Sequence, residues 1–250
     1  MIKRKSRDEI KKMRQAGHIV ALVHQKMKEI IEPGISTKEL DSIALSIIKE
    51  NKAIPTFLGY HGFTGCICAS INEEVVHGIP SENRILQEGD IISVDVGATY
   101  MGLVGDSAWT YPVGKISVEK QRLLTVTEEA LFAGIDKMRE GNVLDDVSCA
   151  IEMVANRENY GIVRQYGGHG VGRNMHEDPF LFNYSVGDKT LLKQGYVIAI
   201  EPMLNLGVDD VVVGSDKWTV STADNMPSAH FEHTVAVTDG EPLILTQLIP

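Results

Sequence analysis

The feature that most constrains this chain is an internal repeat. Leu86-x-x-Gly89-Asp-Ile-Ile-Ser-Val-Asp95 is matched by Leu192-x-x-Gly195-Tyr-Val-Ile-Ala-Ile-Glu201. Each copy carries an acid six residues after its glycine, and the copies are offset by 106 positions. Upstream, Gly34 to Leu40 matches Gly141 to Val147 at an offset of 107. His77-Gly-Ile-Pro80 has a looser counterpart in His176-Glu-Asp-Pro179. Such an offset is far longer than the period of about 20–50 residues that marks a solenoid. It implies two similar halves, about 6–113 and 117–246, meeting face to face as a pseudo-two-fold pair within one 250-residue domain. Chance similarity of apolar strands is the competing explanation, and the aligned acids argue against it.

Periodicity supplies the elements. Ile10, Met13, Gly17, Val20, Met27 and Ile31 recur at helical spacing, predicting an amphipathic helix over 8–31 that Pro33-Gly34 ends. Ser36 with Glu39 three residues later is a capping-box signature and opens a helix over 37–50. Strands are predicted at 66–71, 90–98 and 103–112, the last two joined by a turn at Met101-Gly102. Helices follow over 118–140 and 144–158, then strands near 197–203, 211–213, 218–221, 231–238 and 243–246.

The repeat also locates the chemistry. Asp95 ends the run Ile91-Ile92-Ser93-Val94, and Glu201 ends Val197-Ile198-Ala199-Ile200. Runs of this kind are buried on both faces, where an unpaired carboxylate costs several kcal/mol or takes up a proton. Symmetry would bring both acids to one central cleft, where like charges repel unless a cation lies between them. Asp106, across the hairpin from Asp95, adds a third carboxylate, and Glu232 a fourth. Strand alternation points Glu232 away from His233. His169 lies in Gly167-Gly168-His169-Gly170-Val171-Gly172, where four glycines remove bulk around one imidazole for a metal or substrate to approach. Four carboxylates and an imidazole favour Mn, Fe, Co or Zn over a thiolate site. Five protein ligands are too many for one open tetrahedral zinc and suit a bridged pair of divalent ions. His77 and His176 are then candidates for hydrogen-bonding a scissile group.

Charge and cysteine content narrow the setting. With 34 acidic and 24 basic residues the formal charge is −10, which disfavours a phosphate backbone, and hence DNA, as the main ligand. Lys3, Arg4, Lys5, Arg7, Lys11 and Lys12 form one basic cluster. It is expected to be the solvated face of the first helix, the sharper alternative being a weak contact with ribosomal RNA. The three cysteines, Cys66, Cys68 and Cys149, form no disulfide framework and suggest a reducing compartment. No apolar run approaches the roughly 20 residues needed to span a bilayer, and no stretch reads as a signal peptide. The expectation is a cytoplasmic monomer without a membrane partner.

One stretch is more specific than all of these. Tyr166-x-Gly168-His169-Gly170-Val171-Gly172-x-x-x-His176-x-x-x-x-Leu181-x-Asn183-Tyr184 closely resembles the signature of type I methionine aminopeptidases. Supporting motifs are Asn72-Glu-Glu-Val-Val-His77-Gly-Ile-Pro80, the Asp95 and Asp106 pair, Ile200-Glu201-Pro202-Met203 and Phe231-Glu232-His233-Thr234. The resemblance implies an α+β pita-bread fold, with curved, largely antiparallel sheets in two related halves and helices outside. It implies Asp95, Asp106, His169, Glu201 and Glu232 as ligands of two divalent ions, Asp106 and Glu232 bridging. It implies removal of N-terminal methionine from nascent chains whose second residue is small, by a metal-bridging hydroxide. Glu201 would shuttle the proton, His176 would steady the oxyanion and His77 would contact the scissile amide nitrogen. The methionine pocket would be Phe57, Tyr60, Phe63, Cys68, Met175 and Trp218, with Met175 and Phe63 departing from familiar aromatic and tyrosine residues. A sodium or potassium ion would take backbone oxygens of Asn72, Glu74 and Ser228. The alternatives are a proline-directed aminopeptidase of the same fold and a non-catalytic pita-bread binding module.

Overall fold

The computed structural model describes residues 2–249. Helix α1 spans Arg7–Ile30 and α2 Thr37–Glu50. Strands β1 (Ile54–Pro55), β2 (Ile67–Ile71), β3 (Glu74–Val76), β4 (Ile91–Tyr100) and β5 (Leu103–Pro112) follow. Then come α3 (Val118–Asp136) and α4 (Leu144–Arg157). Strands β6 (Gly161–Ile162), β7 (Gly168–Gly170), β8 (Glu177–Leu181), β9 (Val197–Ile200) and β10 (Met203–Asn205) precede β11 (Val211–Val213) and β12 (Val220–Thr222). The last strands are β13 (Ser228–His230), β14 (His233–Ala236) and β15 (Leu243–Ile244). Among the described residues every strand pair is antiparallel.

Local chemistry starts the helices where the sequence places them. Ser36 accepts from the Glu39 N–H at 3.1 Å while the Glu39 carboxylate accepts from the Ser36 N–H at 2.8 Å, closing the predicted box. A second box, Ser6 with Glu9, opens α1 in the same way. β4 and β5 form one hairpin of ten register pairs around Met101-Gly102, both with positive φ. Two positive-φ residues give the loop the twist that two-residue hairpins require.

Some predicted boundaries move. Helix 118–140 stops at Asp136, the chain turning through Lys137 towards Gly141, which has φ 94°. The strand 197–203 is broken at Glu201-Pro202, with β9 in a five-stranded sheet and β10 in a three-stranded one. Pro202 has no N–H to give a ladder. The strand predicted over 231–238 starts only at His233, as β14, with β13 a separate strand before Phe231-Glu232.

Several backbone bonds recur at the repeat offset. Gly34 N–H donates to the Leu86 carbonyl at 2.8 Å and Gly141 N–H to that of Leu192 at 3.2 Å. Isolated bridges join Ser36 to Ile85 and Val143 to Leu191. Gly89 N–H reaches the Val113 carbonyl at 3.0 Å and Gly195 N–H that of Val237 at 2.9 Å, the donors at the repeat offset and the acceptors further apart because the second half carries a longer turn. Both glycines sit at φ near +90°, a conformation other residues adopt only with strain.

Helices α1 and α2 bury Val20, Val23, Met27, Leu40 and Ile48 against Ile92, Val94 and Val96 of β4. Helices α3 and α4 bury Leu123, Leu131 and Ile151 against Ile198, Ile200 and Val235. A third apolar cluster draws on both stretches, joining Phe57, Phe63, Cys68 and Leu103 to Met175, Val197 and Leu245. It lies beside the large cavity described next.

Candidate metal centre

A cavity of about 720 Å³ collects every predicted metal ligand, both predicted histidines and all six predicted pocket residues. Asp95 and Asp106 come from the continuous hairpin. They sit diagonally rather than directly across, since Asp95 pairs with Ala108 and Asp106 with Gly97. Two residues along a strand share a face, so both carboxylates still reach one side. Glu201 and Glu232 come from the facing breaks, flanked by the pairs Ile200 with His233 and Met203 with His230. His233 points away as alternation requires, its Nδ1 2.7 Å from the Thr246 hydroxyl and its ring against Trp109.

A seam of hydroxyls and amides fixes these backbones to one another. Glu232 N–H donates to the Ala108 carbonyl at 2.8 Å, and the Ser107 hydroxyl to the Glu232 carbonyl at 2.5 Å. Thr234 Oγ1 accepts from Asp106 N–H at 3.1 Å and donates to its carbonyl at 2.8 Å. Thr110 clamps His230 in the same reciprocal way, at 2.9 and 2.8 Å.

The electrostatics fit a cation. Oδ1 of Asp95, Oδ1 of Asp106 and Oε1 of Glu232 are buried without a hydrogen-bond partner among the described residues. Burial pushes the Asp95 carboxyl up to about 7, with neighbouring Glu201 adding to the rise. Burial, and for two of them the adjacent acids, also hold Asp106, Glu201 and Glu232 well above the ordinary carboxylate range. A bound divalent ion reverses that balance by supplying the missing charge. Burial pulls His169 down to about 3, so it is a neutral imidazole. Its Nδ1 donates to the Gly170 carbonyl at 3.0 Å, which leaves Nε2 with its lone pair free. That nitrogen lies 3.7 Å from Asp106 Oδ2 and 3.5 Å from Glu201 Oε1. An imidazole oriented by a carbonyl at its other nitrogen is the usual metal-binding arrangement. Two triads have ligand atoms close enough to share an ion, Asp106–His169–Glu232 and Glu201–His230–Glu232.

The glycines around His169 have a different use from the one expected. A Cβ on Gly168 would strike the Ala199 carbonyl, one on Gly170 the Asp178 carbonyl, and one on Gly167 would lie 2.6 Å from the Leu181 carbonyl. The space they leave is taken by neighbouring strands, not by a ligand.

His77 holds φ 61°, a costly value for a residue with a Cβ. Neighbouring bonds keep it there: Ala69 N–H donates to the Gly78 carbonyl at 2.8 Å, and Gly78 N–H to the Ser70 hydroxyl at 3.0 Å. Burial lowers His77 to about 4, with His230 and His176 adding. His176 Nδ1 lies 2.9 Å from the Tyr60 hydroxyl, and burial and then His61 lower its affinity for a proton. In the apolar end, Phe63 packs edge-on against Trp218 at 5.1 Å, and Phe57, Cys68 and Met175 are buried. Burial keeps the Cys68 thiol protonated.

Among the cavity residues that sequence reasoning did not assign are His61, Tyr166 and His230. His230 carried a usable signal, because it stands two residues before Glu232. Lys5 is a correction. It was expected on the solvated face of α1, yet it is buried and pairs with Glu177 at 2.7 Å, next to His176. Asn72, Glu74 and Ser228 do not line the cavity, although Ser228 N–H donates to the Asn72 carbonyl at 2.9 Å.

Known proteins resemble this chain over nearly its whole length. A family profile described as metallopeptidase family M24 matches residues 11–239. A relative named methionine aminopeptidase 1, from Bacillus subtilis, is 52% identical over 94% of this chain and 95% of its own length. The crystal structure of a methionine aminopeptidase from Thermotoga maritima superposes with a TM-score of 0.97 at 42% identity, covering 99% of this chain and 100% of that one. The corresponding structure from Rickettsia prowazekii gives 0.96 at 39% identity, covering 98% and 100%.

Proposed function

The chain belongs to metallopeptidase family M24, among the type I methionine aminopeptidases of pita-bread fold, and from that premise we propose how its residues do the work. It is a metal-dependent hydrolase that removes methionine from the N-termini of proteins and peptides. The observation that carries the residue assignment is that four buried carboxylates and a lone-pair-bearing imidazole converge on one cavity with three carboxylate oxygens unpartnered.

Asp95, Asp106, His169, Glu201 and Glu232 would hold two divalent ions, Co, Mn, Fe or Zn. When bound, the ions supply an activated water and positive charge at the substrate carbonyl. Glu201 would accept a proton from the attacking water and deliver it to the leaving amine. Tyr60 would donate its O–H to His176 Nδ1, which places the ring proton on Nε2 and makes His176 a donor to the developing oxyanion. His77 would meet the scissile amide nitrogen, its backbone held ready by the Gly78 bonds. The methionine side chain would fill the space among Phe57, Tyr60, Phe63, Cys68, Met175 and Trp218. The second substrate residue would then lie among the acids and histidines, where only a small side chain fits. A sodium or potassium ion is assigned to backbone oxygens of Asn72, Glu74 and Ser228, supported by the direct bond between the first and last of these segments.

The setting proposed is the cytoplasm, with the chain acting as a monomer on nascent polypeptides. Its exposed Lys3, Arg4, Arg7 and Lys11 would make at most a transient contact with ribosomal RNA. Among the described residues no helix is long and apolar enough to cross a membrane. The near relatives favour methionine over proline direction, and the complete acid set disfavours a binding module.

The test is a series of Met-X-Gly-Met peptides assayed with added Mn or Co and after exhaustive chelation. Turnover should vanish without metal. It should fall by about tenfold to over a hundredfold as X grows from Gly or Ala to Leu or Phe, the rate equivalent of about 1–3 kcal/mol of overpacking. Rates independent of X, or full activity in verified metal-free protein, would reject the assignment.

A further inference from the structure

His230 joins the centre from the end of β13 and has no part in the residue assignment above. Its Nε2 is buried and has no hydrogen-bond partner among the described residues. It lies 3.5 Å from Glu201 Oε2 and 4.0 Å from Glu232 Oε2. Hydrogen bonds of this type span about 2.7–3.2 Å, so neither contact is one. Two donors on a single ion, each about 2.0–2.2 Å from it, stand about 2.8–3.6 Å apart at the right angles or tetrahedral angles such ions adopt. The Glu201 contact is near that spacing.

The arrangement is also two-sided. His169 Nε2 stands 3.5 Å from Glu201 Oε1, the same distance at which His230 Nε2 faces Oε2. Each oxygen of one carboxylate thus faces one imidazole. The His230 backbone is not free to retreat, because Thr110 both accepts its N–H and donates to its carbonyl. Ser93 lies 2.8 Å behind Thr110 Oγ1 and holds it in turn. A histidine kept only for packing would not leave its one buried ring nitrogen aimed at two carboxylates.

We propose that His230 Nε2 is a direct ligand in this centre, binding between Glu201 and Glu232, so that the protein contributes two imidazoles rather than one. This rests on the metal-centre reading given under the proposed function. A nitrogen donor here would shift the site towards the borderline-soft metals that imidazole suits.

The probe is cobalt alone, loaded at two equivalents into untagged, metal-stripped full-length protein. X-ray absorption at the cobalt edge counts imidazoles through their outer-shell scattering. The wild-type protein should show about one imidazole per cobalt on average, and His230→Gln about half of that. Calorimetric titration should show one cobalt site weakened by at least about 10–100-fold in His230→Gln, the loss that follows removal of even an outer partner of a metal ligand. A wild-type count near one half would overturn the proposal, and this needs no variant to fold. So would unchanged cobalt affinity in a folded His230→Gln protein. Wild-type protein that takes up no cobalt would instead reject the metal-centre reading itself.

Discussion

The two long hairpins of this molecule make a natural comparison. In the first, β4 and β5 run through ten uninterrupted pairs and turn on two residues. In the second, β9 and β10 pair with β14 and β13, but the ladder is interrupted at Glu201-Pro202 and Phe231-Glu232. Its turn is also expanded, from Leu206 to Pro227, to carry β11, β12 and Trp218. The continuous hairpin supplies stiffness, with α1 pressed so close that Gly17 and Gly105 meet backbone to backbone. The interrupted one supplies Glu201, Glu232, His230 and an edge of the apolar pocket. A duplicated framework can therefore bring two carboxylates from each copy, one pair on an unbroken ladder and the other where ladder bonds are given up.

The strongest way to break the comparison is to remove the equivalent acids one at a time. Asp95→Asn and Glu201→Gln should each empty the centre and lower turnover by at least the ~10³-fold that loss of one transition-state contact can cost. Metal content by mass spectrometry, read beside peptide turnover, checks this. Retention of both metals in either variant would end the equivalence. Next in size is the pair of histidines. His77→Ala and His176→Ala should keep their metal and lose about 10²-fold in kcat, because they act on substrate alone. A variant of either that purified without metal would contradict its role.

The scaffold side of the comparison is sharpened by two glycines. A Cβ at Gly105 would lie 2.6 Å from the Gly17 amide nitrogen, whereas one at Gly134 would meet only Ile151 and Ile200 side-chain atoms at 3.0 Å or more. Gly105→Ala should cost about 1–3 kcal/mol, seen as a melting temperature lower by several degrees. Gly134→Ala should be nearly neutral, since about 1 kcal/mol of helix propensity offsets its tighter packing. Equal shifts would show that the first hairpin is no stiffer than its counterpart. The smallest effect is expected at Trp218. Trp218→Ala should raise KM for a methionyl peptide about tenfold with metal content unchanged, as loss of one wall of an apolar pocket does. An unaltered KM would remove the expanded turn from substrate binding.

Much of this was legible because buried charge is expensive. Asp95 and Glu201 stand out at the ends of apolar runs, and only a shared cation makes two such acids tolerable. Capping chemistry is local, so Ser36 and Glu39 announced α2. The missing parts depend on contacts distant in sequence. Nothing local to β7 shows that its glycines give room to β8 and β9. Lys5 could not be distinguished from its exposed neighbours without Glu177, 172 positions away. His230 was passed over because it precedes the strand predicted from 231, although it stands two residues before Glu232.

The hydroxyl seam has a consequence for how the halves are joined. If the chain is two related halves, they are linked covalently only once, through the largely exposed stretch from Gly114 to Ser117. They are linked non-covalently by the Ser107, Thr110 and Thr234 side chains and the Glu232 amide. The tether then does little beyond setting the effective concentration at which the halves meet. A protease nick at 114–117 should leave a working particle, and two separately made pieces would have to reach roughly millimolar levels to match what a short flexible link provides at no cost in volume.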